Sequence, residues 1–350
     1  MPKIEKKVLV IGSEGYVGSV LIPALQGSNY DVHTQDVLWF GSIESSKNNL
    51  ESRAHEHINK DLRDVTISDL KGFDSVIILS AVSNDPMGKQ FENVTFEINR
   101  NATVQVAAFA KEAGVKSLVF ASSCSVYGIA DDCARKEGDE LNPLTAYAKS
   151  KADVELGVMP LADDNFTVTC LRFATAGGAS SRLRLDLVLN DFVASAVLNN
   201  FIEILSDGSP WRPIIHTEDM ARSFVWAIDR HPRSAEENFI TVNVGSTEWT
   251  FTMESLANKV SDALGGVDVR INPAGKPDPR SYRVDFSLYQ ELAPLHQPVK
   301  LFEEAVLELK ALILANDIPK DFRSSEWIRF NHLNSLIDNE QLDQSLRWIK

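Results

Sequence analysis

The sequence predicts an α/β fold, with a doubly wound parallel sheet followed by a smaller and mostly helical C-terminal part. Three observations predict it. Short β-branched runs alternate with helical patterns over residues 1–175, a glycine-rich turn joins the first run to the first helical pattern, and the alternation loosens after that point. Strands that alternate with helices pair in parallel and carry helices on both faces of the sheet.

Five short, mainly apolar runs are the predicted strands. They span residues 8–11, 31–34, 75–80, 117–121 and 167–172. Apolar residues recur at helical spacing from Val17 to Leu25. A second helical pattern runs from Val104 through Ala107 and Ala108 to Lys111, and Gly114 closes that helix. A lone apolar run does not distinguish a buried strand from a buried helix, but the repeated alternation does.

The region after residue 175 is predicted to begin with loops and to end with helices. A turn at residues 207–210 and a stretch with three prolines at 273–279 are typical of irregular segments. Apolar residues at helical spacing over 301–312 predict a helix. Aromatic and apolar residues over 327–337 predict an amphipathic helix that packs on the body of the protein or on a partner.

Composition and charge disfavour several classes of function. The 350 residues are 44% hydrophobic and 24% charged, as in ordinary globular proteins. A formal net charge of -14 disfavours nucleic acid and anionic membranes as partners. The first apolar run is too short for a signal peptide, and no stretch reaches the roughly 20 apolar residues that span a bilayer. Three cysteines are too few for a disulfide framework or a structural zinc site, so we expect a cytoplasmic protein without a metal.

The glycine-rich turn is a candidate phosphate-binding site. Gly12, Gly15 and Gly18 follow the first predicted strand with the spacing G-x-x-G-x-x-G. Glycine allows a tight turn and a close approach to a pyrophosphate, whose charge is stabilised by the helix N-terminus. Glycine-rich turns are common, so the alternative is an ordinary turn. The position between a strand and a helix favours a dinucleotide site.

Two carboxylates follow predicted strands. Asp36 lies about 20 residues after the glycine turn, where a carboxylate accepts hydrogen bonds from adenosine ribose hydroxyls and repels a 2′-phosphate, which favours NAD over NADP. Asp61 begins a second loop that can meet the adenine ring. The alternative for each residue is an ordinary solvated aspartate.

A serine, a tyrosine and a lysine form the candidate catalytic group. Tyr147 and Lys151 are four residues apart and share one helix face. A nearby ammonium, especially together with the positive charge of a nicotinamide, lowers the pKa of a phenol, so that the phenolate can take a proton from a hydroxyl group. Ser123 follows a predicted strand at the edge of the sheet where active sites gather. Each signal alone is weak, but their order and spacing together are uncommon by chance.

Taken together, these motifs resemble the extended short-chain dehydrogenase/reductases. Within them, the chain is similar to the NAD-dependent sugar-nucleotide epimerases and dehydratases, which include the UDP-glucose 4-epimerases. The resemblance covers about residues 8–290. The segments that carry it are 12–18, 36, 61–62, 79–81, 99, 122–128, 147–151, 171–173, 211–219 and 280–285.

The resemblance implies a role for each matching residue. Ser123, Tyr147 and Lys151 are the implied catalytic triad, with Asn99 supporting the active-site helix. Arg212 and Arg280 are implied to bind the diphosphate of a nucleotide sugar; Arg182 and Arg184 either assist or are purely structural. The implied NAD-binding residues are Gly12, Gly15, Tyr16, Val17, Gly18, Asp36, Asp61, Leu62, Ser80, Ala81, Asn99, Tyr147 and Lys151.

The resemblance also implies an organisation for the chain. A dinucleotide-binding Rossmann domain is expected over residues 1–175, with a return of the chain near 214–245, and a substrate domain over 176–350. A homodimer is expected, paired through the helix that carries Tyr147 and the helix before it.

Departures from the family pattern narrow the reaction. Cys124 and Ser125 stand where 4,6-dehydratases carry an Asp-Glu pair, which disfavours dehydration. Epimerases with a cysteine acid/base place it at position 125, so Cys124 is interpreted as a packed, inert thiol. Thr175 stands where UDP-glucose 4-epimerases have asparagine, and His216 is interpreted as structural. We therefore expect an NAD-dependent epimerase; the alternatives are a reductase of a keto-sugar nucleotide or other carbonyl compound, and a non-catalytic NAD-binding regulator.

Overall fold

The computed structural model describes residues 6–41, 57–129, 133–272, 274–275 and 281–349. Arg280 and most of the proline stretch at 273–279 lie outside these residues. The strands are β1 (Lys7–Ile11), β2 (Asp31–Asp36), β3 (His57–Asn59), β4 (Ser75–Ile78), β5 (Ser117–Ser123), β6 (Thr167–Phe173), β7 (Thr175–Gly177), β8 (Phe201–Ile204), β9 (Trp211–His216), β10 (Phe239–Val244), β11 (Thr250–Thr252) and β12 (Asp268–Ile271). The helices are α1 (Gly18–Gly27), α2 (Ile67–Leu70), α3 (Asp85–Gln90), α4 (Glu92–Thr95), α5 (Thr103–Ala113), α6 (Ala146–Val158), α7 (Val188–Asn199), α8 (Thr217–Ile228), α9 (Met253–Ala263), α10 (Ser287–Leu292), α11 (Phe302–Ala315) and α12 (Arg329–Asp338), with a π-helical segment over Phe96–Ala102 before α5.

The main sheet has seven parallel strands in the order β10-β6-β5-β4-β1-β2-β3. The chain builds outward from β1 in one direction through β2 and β3, and in the other through β4, β5, β6 and β10. The order therefore reverses between β1 and β4, and such a switch point opens a crevice at the carboxyl ends of the strands. The predicted doubly wound parallel sheet is confirmed.

The central strands are buried on both faces because helices cover each side. Val8 and Val10 belong to one core with residues of α1 and α8, whereas Leu9 and Ile11 belong to the core on the opposite face, with residues of α5. Successive side chains of a strand point to opposite faces, so four consecutive apolar residues supply both cores. This explains why the run lacks the alternation of a half-exposed strand.

A third core lies between the later helices and two small sheets. The strand orders are β11-β9-β7 and β12-β8. Apolar residues of α7, α9 and α11 fill this core, with Leu189, Leu256 and Leu309 fully buried. The chain returns to the main sheet as β10, and the division into a dinucleotide-binding domain and a substrate domain stays a prediction.

The C-terminal segment packs back on the first half of the chain. Leu333 of α12, Leu342 and Leu346 are buried in the same core as Leu9 and Trp39. The predicted amphipathic helix is α12, and it lies on the body of the protein. Among the described residues, none of the helices combines the length and the apolar character that crossing a bilayer requires.

Candidate active site

One cavity of about 800 Å³ opens at the carboxyl ends of the central strands. Its wall includes the turn after β1, the ends of β2, β4 and β5, and residues of α6 and the C-terminal segment. The sequence-predicted residues that line it are Gly12, Gly15, Tyr16, Val17, Gly18, Asp36, Asp61, Leu62, Ser80, Ala81, Ser123, Tyr147, Lys151, Arg184 and Arg212. The fold thus brings these residues together around one space.

The glycine turn is shaped by close backbone contacts. Gly12 has φ +88°, and a Cβ there would lie 2.5 Å from the backbone nitrogen of Ser80. A Cβ at Gly18 would lie 2.2 Å from the carbonyl oxygen of Ser13. Around Gly15, in contrast, the nearest atom to a Cβ would be the Gly12 oxygen at 3.3 Å, so its outer side is open. An open glycine at the start of α1 fits a diphosphate group at a helix N-terminus.

Asp36 is held at the end of β2 by the turn that it faces. Its carboxylate accepts hydrogen bonds from the backbone N–H groups of Glu14, at 3.0 Å, and Leu38, at 2.8 Å. Burial raises the pKa of Asp36, and these hydrogen bonds lower it in part. A carboxylate oxygen can accept more than one hydrogen bond, so Asp36 is suited to ribose hydroxyls.

Asp61 and Leu62 form the neighbouring wall at the end of β3. The two Asp61 oxygens accept hydrogen bonds from Arg63, at 2.9 Å and 2.6 Å, while the backbone N–H of Arg63 also donates to the carboxylate. Leu62 is buried. Because Arg63 orients the Asp61 carboxylate, this loop is a rigid edge of the cavity rather than a solvated turn.

The candidate catalytic residues lie on β5 and α6. Ser123 ends β5, and its hydroxyl accepts a hydrogen bond from the backbone N–H of Ser125 at 3.2 Å. The Lys151 ammonium donates to the carbonyl oxygen of Ala121 at 2.6 Å and lies 5.6 Å from the centre of the Tyr147 ring. Asn99 exchanges two hydrogen bonds with the backbone of Val82.

Asn99 links the active-site helix to the π-helical segment. Its amide also donates to the Ser150 hydroxyl at 3.2 Å, next to Lys151 in the chain. It does not line the cavity. Its contacts therefore agree with the supporting role that the resemblance implies, rather than with direct cofactor contact.

The protein alone does not ionise the tyrosine. The pKa of Tyr147 is raised to about 12, mainly by burial and also by nearby Asp85, while Arg184 and a hydrogen bond with Ser123 oppose the increase. Burial lowers the pKa of Lys151 to about 7. Burial thus opposes the charged form of both residues, so ionisation of the phenol requires positive charge in addition to that of Lys151. Further positive charge is needed beside Tyr147.

The four arginines singled out in the sequence differ in their surroundings. Arg184 is buried, pairs with Asp186 at 2.7 Å and donates to the Ser83 hydroxyl at 3.1 Å. Arg182 donates to the carbonyl oxygens of Phe40 and Gly41 and does not line the cavity, which favours its structural interpretation. Arg212 lies 5.5 Å above the Tyr282 ring. Arg280 lies outside the described residues.

Two residues that invite a chemical role are packed instead. The Cys124 thiol is buried, donates to the carbonyl oxygen of Arg172 at 3.1 Å, and has its pKa raised by burial. His216 is buried and accepts a hydrogen bond from the Glu218 N–H at 3.2 Å; burial lowers its pKa to about 4. Across the described ranges, no group of three or more His, Cys, Asp or Glu side chains is placed to hold a metal ion.

Sequence reasoning missed part of the cavity wall. Arg323 and residues 328–331, from the C-terminal segment, line the cavity. Ser83 and Asn84, which precede α3, and Asp85, its first residue, line it as well. Arg323 forms two hydrogen bonds of 2.8 Å with Asp191. Arginines next to the aromatic residues of 327–330 are the only sequence feature that could have indicated this part of the wall. Local patterns do not predict which surface of the protein these arginines contact.

Comparison with known proteins agrees with this geometry. A model of the NAD dependent epimerase/dehydratase family matches residues 8–245. The UDP-glucose 4-epimerase of Mycolicibacterium smegmatis is 26% identical over 305 residues, which cover 85% of this chain and 95% of that protein.

Solved structures extend the likeness to the fold. The structure of MoeE5 in complex with UDP-glucose and NAD matches with a TM-score of 0.73 and 25% identity, covering 88% of this chain and 99% of that one. The NAD-dependent NDP-hexosamine 5,6-dehydratase TunA matches with a TM-score of 0.75 and 21% identity, covering 89% and 99%, and supports the fold alone. Since the family model spans more than half of the chain, this protein belongs to the NAD-dependent epimerase/dehydratase family of enzymes.

Proposed function

We propose that this enzyme epimerises a nucleotide-activated sugar by transient oxidation at a sugar carbon, C4 in our assignment. One observation carries the proposal: Ser123, Tyr147 and Lys151 face the same cavity as the glycine turn. A dinucleotide lying from the glycine turn to Tyr147 would place its reactive end beside a proton acceptor. A sugar hydroxyl held there can lose its proton and the hydrogen on its carbon together.

NAD, when bound, supplies the chemistry of hydride acceptance and return. Tyr147 takes the proton of the sugar hydroxyl, and the Ser123 hydroxyl holds the same oxygen. The positive charge of the oxidised nicotinamide adds to that of Arg184, which already lowers the pKa of the phenol. Return of the hydrogen to the opposite face of the keto sugar inverts the centre, and Tyr147 gives back the proton.

Arginines are assigned to the diphosphate of the substrate. Arg212 lines the cavity at the start of β9, and its ring contact with Tyr282 holds the guanidinium plane. A planar guanidinium suits paired phosphate oxygens. Arg280 is assigned to the same group by the family resemblance. Arg184 is assigned to the reacting end of the substrate, because its charge acts on Tyr147.

A second candidate reaction is dehydration, and one observation favours it. Asp85 lines the cavity and is the charged group that raises the pKa of Tyr147 most. A carboxylate there offers an acid or base other than the missing pair at positions 124 and 125. The buried Cys124 thiol offers none. Epimerisation stays the first choice because it requires no group beyond the triad.

The experiment is product analysis with defined sugar nucleotides. Purified protein is incubated with UDP-glucose or UDP-N-acetylglucosamine plus NAD, and products are followed by proton NMR together with NADH absorbance. We expect the C4 epimer without net NADH formation. Net change in NADH identifies a dehydrogenase or reductase instead, and a dehydrated sugar identifies a dehydratase. Wild-type-like turnover by Tyr147→Phe would reject the mechanism in every case.

A homodimer belongs to the same proposal. The resemblance places the interface on α5 and α6, and α6 exposes Leu156, which is 65% accessible, followed by Met159 at 46%. Apolar side chains exposed on a helix are suited to burial against a second copy. Sedimentation analysis of wild type and Leu156→Glu tests this, with dissociation expected for the variant.

A further inference from the structure

Arg329 is a buried cation in the wall of the cavity. It begins α12 and is only 7% exposed. Its guanidinium lies 3.5 Å from the centre of the Phe40 ring, and one nitrogen is 3.5 Å from the carbonyl oxygen of Arg182. Among the described residues, no carboxylate lies within ion-pair distance of it. A stacked guanidinium with no carboxylate partner therefore borders the cavity.

The other buried arginines of the described residues are paired with carboxylates. Arg172 pairs with Glu155 at 2.6 Å, and Arg184 pairs with Asp186 at 2.7 Å. A buried charge is costly unless it is paired and hydrogen-bonded. Burial and the nearby Arg184 lower the pKa of Arg329 to about 9, which leaves it cationic at neutral pH. Its surroundings are thus suited to an added anion.

The position of Arg329 indicates which anion it meets. Phe40 lies four residues after Asp36, the candidate ribose-binding carboxylate. Arg182, whose carbonyl Arg329 contacts, forms an ion pair of 3.7 Å with Glu14 in the glycine turn. Arg329 therefore faces the end of the cavity between the glycine turn and Asp36. A bound dinucleotide would place its diphosphate there.

The segment that carries Arg329 also joins the two loops beside this end. His332 contacts the carbonyl oxygen of Trp39 at 2.9 Å, and the Trp39 indole donates to the carbonyl oxygen of Leu346 at 3.1 Å. Trp348 donates to the carbonyl oxygen of Val37 at 2.6 Å. These contacts hold residues 37–39, directly after Asp36.

The loop after β3 is also held by contacts with the C-terminal segment. Arg63, which orients Asp61, donates to the carbonyl oxygen of Ser345 at 2.8 Å. Arg347 pairs with Asp64 at 2.7 Å. Residues 328–349 are named the C-terminal cover. The cover contacts the loops after β2 and β3, the two loops expected to flank the adenosine.

We propose that Arg329 binds the diphosphate of NAD and that the C-terminal cover retains the dinucleotide. The inference uses the family's cofactor and extends the proposed function, because an epimerase regenerates its NAD in every turnover and gains from keeping it. A dehydrogenase or reductase must exchange its cofactor instead. The cover therefore favours an epimerase over a dehydrogenase or reductase. It lies outside residues 8–245, which the family model matches.

The test measures NAD release without sugar turnover. NAD-loaded wild type, Arg329→Gln and Arg329→Lys are freed of excess NAD, and released NAD is reduced by added alcohol dehydrogenase and ethanol, so NADH fluorescence reports dissociation. We expect release from Arg329→Gln to be about tenfold faster or more, since a hydrogen bond to a charged group is lost. Arg329→Lys should fall between the two, because an ammonium keeps the charge without the paired donors.

The matched control is Arg270→Gln. Arg270 also stacks on an aromatic ring, 4.1 Å from the centre of Phe201, but it is exposed and does not line the cavity. Its release rate should equal that of wild type. A thermal melt of each variant without NAD separates loss of binding from loss of folding, and Arg329→Lys keeps the test valid if Arg329→Gln is unstable.

Two outcomes would overturn the proposal. Release from a folded Arg329→Gln at the wild-type rate would show that Arg329 does not hold the dinucleotide. Unchanged release with a raised KM for the sugar nucleotide would assign Arg329 to the substrate's diphosphate instead. Neither outcome depends on whether the enzyme is an epimerase, so failure of the proposed reaction is distinguishable.

Discussion

The two ends of the cavity are built in different ways. The candidate catalytic end comes from Ser123, Tyr147 and Lys151, on β5 and α6. The end that we assign to the adenosine combines the loops after β2 and β3 with the C-terminal cover, nearly three hundred residues later in the chain. The comparison shows that one end of a site can come from about thirty consecutive residues, while the other end forms only when distant parts of the chain fold together.

The two ends also differ in how their polar groups are satisfied. Burial moves the pKa of Tyr147 up to about 12 and that of Lys151 down to about 7, so each resists its charged form. At the adenosine end, Asp36 and Asp61 accept hydrogen bonds from backbone or arginine donors. At the candidate catalytic end, burial thus opposes both charged forms. At the other end the carboxylates are hydrogen-bonded, and Arg329 is the buried charge for which the described residues provide no carboxylate partner. The following predictions test this contrast.

The largest effect is expected at the catalytic end. Tyr147→Phe should lower kcat by about 10²- to 10⁴-fold, because the proton acceptor is lost. NAD release should change far less than in Arg329→Gln, since phenylalanine keeps the ring and loses only the hydroxyl group. Steady-state kinetics and the release assay check both statements. A variant that loses NAD as readily as it loses turnover would show that the two ends are not independent.

The next effect concerns the support beneath β5. Glu155 accepts hydrogen bonds from Ser122 at 2.5 Å and from Arg172 at 2.6 Å. Glu155→Ala should lower the free energy of unfolding by about 3–5 kcal/mol, because Arg172 is left as an unpaired buried charge. Urea unfolding measures this.

The control for Glu155→Ala lies on the same helix. Asp153 pairs with Arg100 at 3.3 Å on the exposed face. Asp153→Ala should cost about 1 kcal/mol or less. Equal losses for the two variants would contradict the idea that burial of the Glu155–Arg172 pair sets its importance.

Removal of the strained lysine should stabilise the fold. The pKa of Lys151 is lowered to about 7, below its unfolded value near 10.4. Between these two pH values the unfolded chain binds more protons than the folded chain, so the stability of the fold rises with pH. The destabilisation caused by Lys151 is therefore complete below about pH 7 and disappears as the pH approaches 10. Lys151→Met should therefore gain stability, on the order of a few kcal/mol at most, with the gain largest below neutral pH.

Urea unfolding at several pH values measures the gain. The lost hydrogen bond to Ala121 offsets part of it. Lys149→Met, at an exposed position of the same helix, controls for the loss of a charge. A stability difference that is constant across pH would refute the electrostatic strain at Lys151, whatever the activity of the variant.

The smallest effect is expected at the cover. Trp348→Phe removes one hydrogen bond to Val37 but keeps an aromatic ring. NAD release should rise by a few fold, corresponding to about 1 kcal/mol, while kcat with saturating NAD stays unchanged. An unchanged release rate would separate the cover from cofactor retention and leave Arg329 to be judged by its own variants.

Much of the nucleotide-binding part was predictable from local patterns. The five predicted strands are all present, and α5 ends at Ala113, where Gly114 has φ +87°. The glycine turn, Asp36 and the triad could be named because strand ends, helix spacing and glycine conformation depend on neighbours in the chain. Seven of the described strands were not predicted. β3, β7 and β11 have three residues each and no readable period, whereas β8, β9, β10 and β12 lie in the part after residue 175 for which no strand was predicted.

By itself, the sequence determined the parallel sheet, the turn that fits a diphosphate and the order of the candidate catalytic residues, because hydrophobic period and glycine content act over short distances. Only the tertiary structure decided the pKa of Tyr147 and Lys151, the pairing of Arg184 with Asp186, and the place of Arg329 in the cavity. Desolvation and charge pairing depend on contacts between residues that are distant in the sequence, and local sequence patterns do not predict those contacts.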